Sequence, residues 1–274
     1  MSDAPAPDDI LISEIFSAIQ GEAALVGERQ IFVRLTGCNI RCGYCDQPEA
    51  LERRPGPCRI EQTPGRRDWQ VRDSPLPVAS VVRAVDSLWQ HLPHHSISLT
   101  GGEPLLQSRR VVALAEQMAE RGWPVMLETN GTLTPALTRI LPWLTYVSMD
   151  LKLPSVDGER VASATQRGFL DAALSAGITT WVKVVIGAAT DRDQFDEAID
   201  TVARAAAEGR GPVGKTRSGR SASGPEVFLQ PVTPFGSVQG TPTPDQVLEL
   251  HERALRRYPR VRVVPQTHKA IGQL

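Results

Sequence analysis

The chain is organised around Gly37-Cys-Asn-Ile-Arg-Cys-Gly-Tyr-Cys-Asp46, which holds three of the four cysteines in 274 residues. Three and then two residues separate Cys38, Cys42 and Cys45, so a short irregular loop can turn three thiolates toward one point. A closed structural zinc site takes four ligands, usually as two close pairs. An iron-sulfur cluster is built on thiolates, and a cluster with three protein thiolates leaves one iron open to an outside ligand. The spacing therefore favours a 4Fe-4S cluster with an open iron.

Two alternatives remain open for the thiols. Cys58 follows in the sequence and would complete a four-cysteine zinc site in a zinc-stabilised binding module, although a second close pair is missing. Disulfides are disfavoured, because few cysteines and no apolar signal segment over residues 1–10 indicate a reducing compartment. We therefore expect a cytoplasmic protein whose thiols serve metal or redox chemistry.

The composition is that of an ordinary globular protein. At 29.8 kDa, with 41% hydrophobic residues and a formal net charge of -1, the chain can bury one sizeable core. It has no apolar run of the roughly eighteen residues that a membrane-spanning helix needs. A near-neutral charge also argues against extensive binding to a phosphate backbone. We expect a small-molecule ligand, with no membrane or nucleic acid as partner.

The hydrophobic pattern predicts alternating strands and helices, which is typical of a parallel α/β sheet. After strands at 10–16 and 30–35, the predicted helices span 78–92, 109–121, 134–144, 159–176, 191–208 and 244–258. The predicted strands between them span 96–99, 124–128, 146–150, 180–186, 226–229 and 260–264. About six β/α units follow, which predicts a partial, open β/α barrel rather than a closed eightfold one. We expect residues 1–274 to form a single domain.

Three segments fall outside this pattern. Residues 1–9 are rich in Pro and Asp and predict a disordered tail. Residues 46–77 lack periodicity and contain six prolines, so we expect a long loop insertion that can act as a lid. Residues 209–225 predict a flexible basic loop. Its Gly209 to Thr216 letters match a phosphate-binding loop, but they follow a helix and open none.

Polar motifs follow nearly every predicted strand. They are Thr100-Gly-Gly-Glu-Pro104, Glu128-Thr-Asn-Gly131, Asp150-Leu-Lys152, Gln230-Pro-Val-Thr233 and Pro265-Gln-Thr-His-Lys269. Loops at the carboxyl ends of parallel strands share one edge of the sheet, where active sites of such folds are assembled. We therefore expect these motifs to converge on the cysteine loop.

The cysteine loop resembles the signature of radical S-adenosylmethionine (SAM) enzymes, in which an aromatic residue, here Tyr44, precedes the last cysteine. The resemblance implies that the open iron chelates the amino and carboxylate groups of SAM. In that superfamily the reduced cluster then splits the sulfonium to give a 5'-deoxyadenosyl radical that abstracts hydrogen. The Thr100-Gly-Gly-Glu-Pro104 motif resembles the one that receives the amino group of SAM. Glycyl-radical activases share the short cysteine loop and the partial barrel, and remain an alternative.

Further motifs resemble the 7-carboxy-7-deazaguanine synthase family over nearly the whole chain. They are Ile19-Gln-Gly-Glu22, Phe32-Val-Arg34-Leu-Thr-Gly-Cys38, Glu128-Thr-Asn-Gly131 and Gln266-Thr-His-Lys269. This family contracts 6-carboxy-5,6,7,8-tetrahydropterin to a deazapurine with loss of ammonia, regenerating SAM, in the biosynthesis of queuosine-type nucleosides. The resemblance implies a carbon-nitrogen lyase with a pterin substrate.

The resemblance also implies a set of site residues. The substrate-binding set is Ile19, Gln20, Gly21, Arg34, Thr100 and Leu274, with Arg34 pairing with the pterin carboxylate as a guanidinium suits a planar anion. The SAM-binding set is Tyr44, Cys45, Asp46, Gly102, Glu103, Asp150, Leu151, Lys152, Gln230, Pro231, Val232 and Thr233. The cluster is held by Cys38, Cys42 and Cys45.

One position departs from the family pattern. Where the family usually has a threonine that helps bind magnesium, this chain has Gln47, whose carbonyl is an oxygen ligand that magnesium can accept at a different position. The resemblance therefore implies a magnesium site at Gln47 whose geometry differs from that of the family. The resemblance further implies a homodimer and an electron donor such as flavodoxin or ferredoxin.

Overall fold

The computed structural model describes residues 8–158, 160–208, 214–215, 221–222 and 224–272. Most of its strands are short apolar runs, and those in the middle of the sheet are buried on both faces, as at Ser96–Gly101. The strands are β1 Asp9–Ile10, β2 Ile12–Ile19, β3 Arg29–Leu35, β4 Gly56–Glu61, β5 Trp69–Ser74, β6 Leu76–Pro77, β7 Ser96–Gly101, β8 Val125–Thr129, β9 Tyr146–Leu151, β10 Thr179–Ile186, β11 Gly214–Lys215, β12 Ser221–Ala222, β13 Glu226–Pro231 and β14 Val261–Val263.

The α-helices are amphipathic or short. They are α1 Val78–His91, α2 Ser108–Ala119, α3 Thr134–Ile140, α4 Pro154–Asp157, α5 Ser163–Ser175, α6 Arg192–Ala207, α7 Pro244–Arg257 and α8 Thr267–Ala270. Short 3-10 helices lie at Ala23–Leu25, Pro48–Ala50, Pro104–Gln107 and Leu141–Trp143.

Ten strands form one sheet in the order β14-β13-β10-β9-β8-β7-β3-β2-β4-β5. Neighbouring strands from β3 to β14 are parallel, whereas β2 runs antiparallel to β3 and β5 antiparallel to β4. Six β/α units occupy the parallel part, so the predicted α/β class and partial barrel are confirmed. A single domain over 1–274 stays a prediction.

The main core lies between the sheet and the longer helices, which contact one another in the order α1, α2, α3, α5, α6, α7. Phe169 and Phe195 are fully buried in it. The opposite face holds a smaller apolar cluster around Trp181 and Phe228. Side chains on both faces therefore fix the sheet, and its carboxyl edge is left for polar groups.

The structure differs from the sequence prediction at 46–77, which is not a long loop or a lid. Here β4 and β5 form a hairpin that extends the sheet beyond β2. Cys58 and Ile60 alternate with exposed neighbours and are buried in the core, a period-two signal too short to stand out among the prolines. Gly56–Glu61 and Trp69–Ser74 are thus part of the sheet.

Smaller differences occur at other predicted elements. Asp9 belongs to β1 and pairs with β6, so it is not part of a disordered tail, and residues 1–7 lie outside the described part. The helix predicted over 159–176 begins only at Ser163, because Gly158 adopts a left-handed conformation that ends α4. Within 209–225, β11 and β12 pair with each other, and most other residues there lie outside the described part. Among the described residues, no helix is long and apolar enough to cross a membrane.

The hairpin generates a stability prediction. Ile60 is 6% exposed whereas Val71 on the paired strand is 61% exposed. Ile60→Ala should lower the free energy of unfolding by about 2–4 kcal/mol, because it removes buried methyl groups and leaves a cavity. Val71→Ala should change it by less than about 0.5 kcal/mol. Urea denaturation followed by circular dichroism measures both, and equal small effects would show that 46–77 is a solvated loop.

Candidate active site

A cavity of about 220 Å³ opens at the carboxyl edge of the parallel strands. Most of the predicted site residues line it. They are Ile19, Gln20, Gly21, Arg34, Cys38, Cys42, Tyr44, Cys45, Asp46, Gln47, Thr100, Gly102, Asp150, Lys152, Gln230, Val232 and Thr233. The convergence expected from the ends of parallel strands is therefore present in one cavity.

The cysteine loop forms one wall of this cavity. Cys38, Cys42 and Cys45 are unpaired thiols of intermediate exposure. The loop is tied to the chain that follows it, because the Cys38 amide donates to the Leu51 carbonyl at 3.0 Å. Burial raises the pKa of Cys38 and raises that of Cys42 to about 11, so both thiols stay protonated unless a cation binds. Three unpaired thiols that line one cavity suit a bound iron-sulfur cluster.

Cys58 lies apart from the three loop cysteines. It is fully buried in the hydrophobic core on β4, and burial raises the pKa of its thiol to about 12. Within the described part of the chain, no three His, Cys, Asp or Glu side chains are placed to hold a single metal ion. Cys58 therefore does not share the cavity with the loop cysteines, as a four-cysteine zinc site would require. An iron-sulfur cluster does not require three side chains close enough to hold a single metal ion, because each of its thiolates binds a different iron.

A pair of glycines brings the end of β7 against the cysteine loop. A Cβ atom on Gly101 would lie 2.0 Å from the Leu35 carbonyl oxygen, and one on Gly102 would lie 2.2 Å from that of Gly37. Gly101 also has a φ of +126°, which disfavours any side chain. The Glu103 amide then donates to the Gly37 carbonyl at 2.7 Å. Only glycine permits this contact, which fixes the loop on the sheet.

Glu103 lies behind the cavity wall and does not line it, so the structure differs here from the predicted SAM contact. Its side chain is fully buried, and its carboxylate accepts bonds from the amides of Leu105 (3.0 Å) and Asn130 (2.8 Å) and from the Thr129 hydroxyl (3.0 Å). Burial raises its pKa to about 7. Glu103 therefore holds the turn after β8 against the start of the 3-10 helix Pro104–Gln107.

Two other predicted residues are also not part of the cavity wall. Leu151 is buried in the core behind its strand end, and Pro231 does not line the cavity, because successive residues of a strand point to opposite faces. Leu274 lies outside the described residues.

A chain of buried charged groups crosses the floor of the cavity. Lys152 donates to the Tyr44 hydroxyl at 3.2 Å and to Asp150 at 2.8 Å, and Asp150 also pairs with Lys183 at 3.1 Å. Lys183 continues to Glu22 at 2.5 Å. Burial alone raises the pKa of Asp150, but the two lysines outweigh it and bring the pKa below its ordinary value. The four charged groups therefore compensate one another.

The wall opposite the cysteine loop is a hydrogen-bonded layer of amides and hydroxyls. Gln20 donates from Nε2 to Glu128 at 3.0 Å and to Gln30 at 2.9 Å. The hydroxyls of Ser98 and Thr100 donate to Glu128 at 2.8 and 3.2 Å. The Glu128 carboxylate and the Gln20 amide are thus held rigidly at the cavity surface, where they can recognise a polar ligand.

Arg34 lies at the side of the cavity, held by a second carboxylate. Its Nε donates to Glu14 at 3.1 Å, and its guanidinium lies 5.5 Å from the centre of the Phe16 ring. Glu14 also pairs with Arg59 from the hairpin. Among the described residues, this bond to Glu14 is the only one that the Arg34 guanidinium donates, so its two terminal nitrogens remain for a ligand.

The predicted sets of site residues omitted Lys183, Gln266 and His268, which line the cavity, although the motif that holds Gln266 and His268 was expected to converge there. Gln266 donates to Glu22 at 2.7 Å, and His268 packs so closely on Gly21 that a Cβ there would lie 2.1 Å from its Nδ1. At the rim, Lys269 pairs with Asp46 at 2.9 Å. One signal was available for Lys183, since it is a lysine inside the otherwise apolar strand β10.

Comparison with known proteins agrees with this site. The radical SAM superfamily profile matches residues 32–211, and the chain belongs to that superfamily. A 7-carboxy-7-deazaguanine synthase from Geobacter sulfurreducens is 37% identical over 265 residues, covering 96% of this chain and 97% of that protein. Another from Methanothermobacter thermautotrophicus is 31% identical and covers 95% and 96%. The chain therefore belongs to the 7-carboxy-7-deazaguanine synthase family, and not to the glycyl-radical activases.

A solved structure shows the same fold. The crystal structure of QueE from Escherichia coli aligns with a TM-score of 0.56 and 20% identity over 93% of both chains. Membership of the radical SAM superfamily implies a 4Fe-4S cluster and SAM, and the three thiols of the cavity fit such a cluster.

The site generates a prediction about the cluster ligands. Cys58→Ala should leave iron and sulfide near four each per chain after anaerobic reconstitution, because Cys58 lies in the core. Cys42→Ala should lose most of the cluster absorbance. Iron loss in Cys58→Ala comparable with that in Cys42→Ala would restore a four-cysteine site.

Proposed function

We propose that the protein converts 6-carboxy-5,6,7,8-tetrahydropterin to 7-carboxy-7-deazaguanine with release of ammonia. The observation that supports this most is a single cavity with three thiols on one wall and Arg34 among fixed polar groups on the other. A carboxylated, amide-rich heterocycle matches those groups. The reaction balances without an outside oxidant, since the pterin loses only the elements of ammonia.

The protein would hold its cofactors through residues of the thiol wall. Cys38, Cys42 and Cys45 would bind the cluster, and SAM would lie against Tyr44, Asp46, Gly102, Asp150, Lys152, Gln230, Val232 and Thr233. When bound, the cluster and SAM supply a radical that abstracts hydrogen from the substrate. Lys152 would place a buried cation beside Tyr44, and the Gly101-Gly102 backbone would allow a close approach.

The substrate would occupy the opposite wall. Arg34 would offer its terminal nitrogens to the pterin carboxylate, a pairing that its planar fork suits. The loop at Ile19, Gln20 and Gly21, together with Thr100, would contact the bicyclic ring. The role of Leu274 stays a prediction.

Turnover tests the proposal directly. Anaerobically reconstituted protein, given SAM, a reductant and the carboxypterin, should release one ammonia for each 7-carboxy-7-deazaguanine measured by liquid chromatography and mass spectrometry. SAM should remain undepleted. If SAM is cleaved while the pterin is untouched, the enzyme acts on another substrate.

Arg34 provides a prediction about affinity. Arg34→Ala should weaken pterin binding roughly ten- to a hundredfold, because it removes a charge-assisted hydrogen bond, and should leave SAM binding unchanged. Glu14 keeps Arg59 as a partner in this variant. Isothermal titration in the presence of SAM measures both affinities.

Arg59→Ala is the matched control, because Arg59 binds the same Glu14 but does not line the cavity. It should leave pterin affinity within about twofold of the wild type. An unchanged pterin affinity in Arg34→Ala would remove the assignment of Arg34 to the substrate carboxylate.

We further propose a magnesium ion beside Gln47, which lines the cavity next to Asp46. Oxygen donors in sufficient number, rather than one residue type, make a magnesium site. The carboxamide oxygen would then replace the family's threonine hydroxyl. The rival interpretation is that Gln47 contacts the substrate and that the reaction uses no divalent ion.

Activity measured after chelation distinguishes these interpretations. Magnesium should accelerate turnover in the wild type and in Gln47→Thr, and should have no effect in Gln47→Leu, which lacks the oxygen donor. Full wild-type turnover in a chelator that spares the cluster, unchanged on adding magnesium, would show that the metal site was lost with the threonine.

The proposed setting is a reducing cytoplasm, supported by four cysteines that form no disulfide among themselves. The electron donor would be a flavodoxin- or ferredoxin-type protein, and the chain would act as a homodimer, as the family resemblance implies. Sedimentation analysis of the purified protein tests the dimer.

A further inference from the structure

Lys183 is a cation buried in the middle of the sheet. It lies on β10, where its neighbours are apolar, and its side chain is 12% exposed. A buried ammonium is costly unless it is paired. Lys183 has two partners, Glu22 Oε2 at 2.5 Å and Asp150 Oδ1 at 3.1 Å. Both partners line the cavity, so this lysine joins two of its walls.

The two carboxylates belong to different parts of the site. Asp150 pairs with Lys152, which reaches Tyr44 on the cysteine loop. Glu22 follows Gln20 and Gly21, and accepts a bond from Gln266 at 2.7 Å. Lys183 therefore connects the side assigned to SAM with the side assigned to the pterin.

We propose that Lys183 is a positioning residue that keeps Glu22 ionised and fixed to accept the N–H groups of the pterin, while anchoring Asp150 on the SAM side. This inference rests on the proposed function. A pterin presents a ring N–H and an amino group side by side, and an ionised carboxylate can accept both. A protonated Glu22 would present a donor where an acceptor is required.

The charged groups around Glu22 show why Lys183 is needed to keep this carboxylate ionised. Lys183 from β10, Asp150 from β9 and His268 from α8 face Glu22, and Glu128 from β8 lies beyond Lys183. Among the described residues, Lys183 is the only cation in an ion pair with Glu22. Burial lowers the pKa of His268, so this ring is neutral near neutral pH and cannot replace the lysine.

The sign of the pH effect follows from the forces on Glu22. Burial raises its pKa, but the charge and hydrogen bond of Lys183, together with the hydrogen bond from Gln266, outweigh burial and hold the pKa below its ordinary value in the wild type. Without Lys183 the burial effect remains, and the pKa should rise above its ordinary value. Ionised Glu22 is then lost as the pH falls through this raised pKa, whereas the wild type keeps it at every pH above its lowered pKa.

The test compares pterin affinity of the Lys183→Met and wild-type holoenzymes with SAM bound, by isothermal titration between about pH 6 and 9. The ratio of the two dissociation constants cancels the titration of the ligand itself. We expect Lys183→Met to bind the pterin more weakly than the wild type at pH 6, with the deficit shrinking by up to about tenfold for each unit by which the pH rises, because one pKa unit corresponds to a tenfold change in ionisation.

Controls assign this pH dependence to Glu22. Lys183→Arg keeps the charge and should give a ratio that does not vary with pH. In the double variant Lys183→Met/Glu22→Gln, the change of this ratio with pH, called the pH step below, should disappear. Lys269→Met removes the rim lysine that pairs with Asp46 and should create no pH step. SAM affinity in Lys183→Met should fall less than pterin affinity, because Asp150 keeps Lys152 as a partner.

Several results would overturn the inference. One is a ratio of pterin dissociation constants, Lys183→Met to wild type, that equals one across the pH range. Another is a raised ratio that does not depend on pH. A third is a pH dependence of this ratio that persists in the double variant. A greater loss for SAM would likewise contradict the assignment to Glu22. If Lys183→Met fails to fold, Lys183→Gln replaces it under the same criteria. Wild-type protein that binds no pterin would overturn the proposed function together with this inference.

Discussion

The structure depends on one largely buried carboxylate, that of Asp150, near the end of strand β9. An uncompensated charge in that position would be destabilising. Lys152, just after the same strand, and Lys183 from the neighbouring strand supply the compensation. Each lysine also has a second partner: Lys152 donates to the Tyr44 hydroxyl, and Lys183 pairs with Glu22. The fold requires the Asp150 charge to be balanced, and the two lysines that balance it also position groups on both sides of the cavity.

Close backbone packing, together with hydrogen bonds, holds the cysteine loop. Gly101 and Gly102 let the backbone after β7 press on that of Leu35 and Gly37, and no side chain fits between them. Glu103, fully buried next to this contact, ties the turn after β8 to the same point. The loop that brings three thiols to the cavity thus has its position set by contacts with neighbouring strands.

The parallel part of the sheet could be predicted because its strands are apolar runs followed by polar turns, as at Tyr146–Leu151. Convergence of the motifs followed from the rule that parallel strands end at one edge. The hairpin of β4 and β5 could not be predicted, since the prolines around Cys58 and Ile60 hid the alternation of these two buried positions with exposed ones. Glu103 was expected to line the cavity, but a sequence motif does not show whether a side chain faces the cavity or the interior behind it. Lys183 was missed because its partners, Glu22 and Asp150, are far away in sequence.

The central claim is that the cluster and the pterin share one cavity whose floor is the chain of buried charges. Electron paramagnetic resonance of the reduced, SAM-bound cluster, titrated with 6-carboxy-5,6,7,8-tetrahydropterin, tests this most directly. A ligand bound beside the cluster must perturb its surroundings, so the account predicts a spectrum that changes and saturates at one pterin per chain. A spectrum that stays the same while calorimetry shows the pterin bound would place the substrate elsewhere and contradict the account.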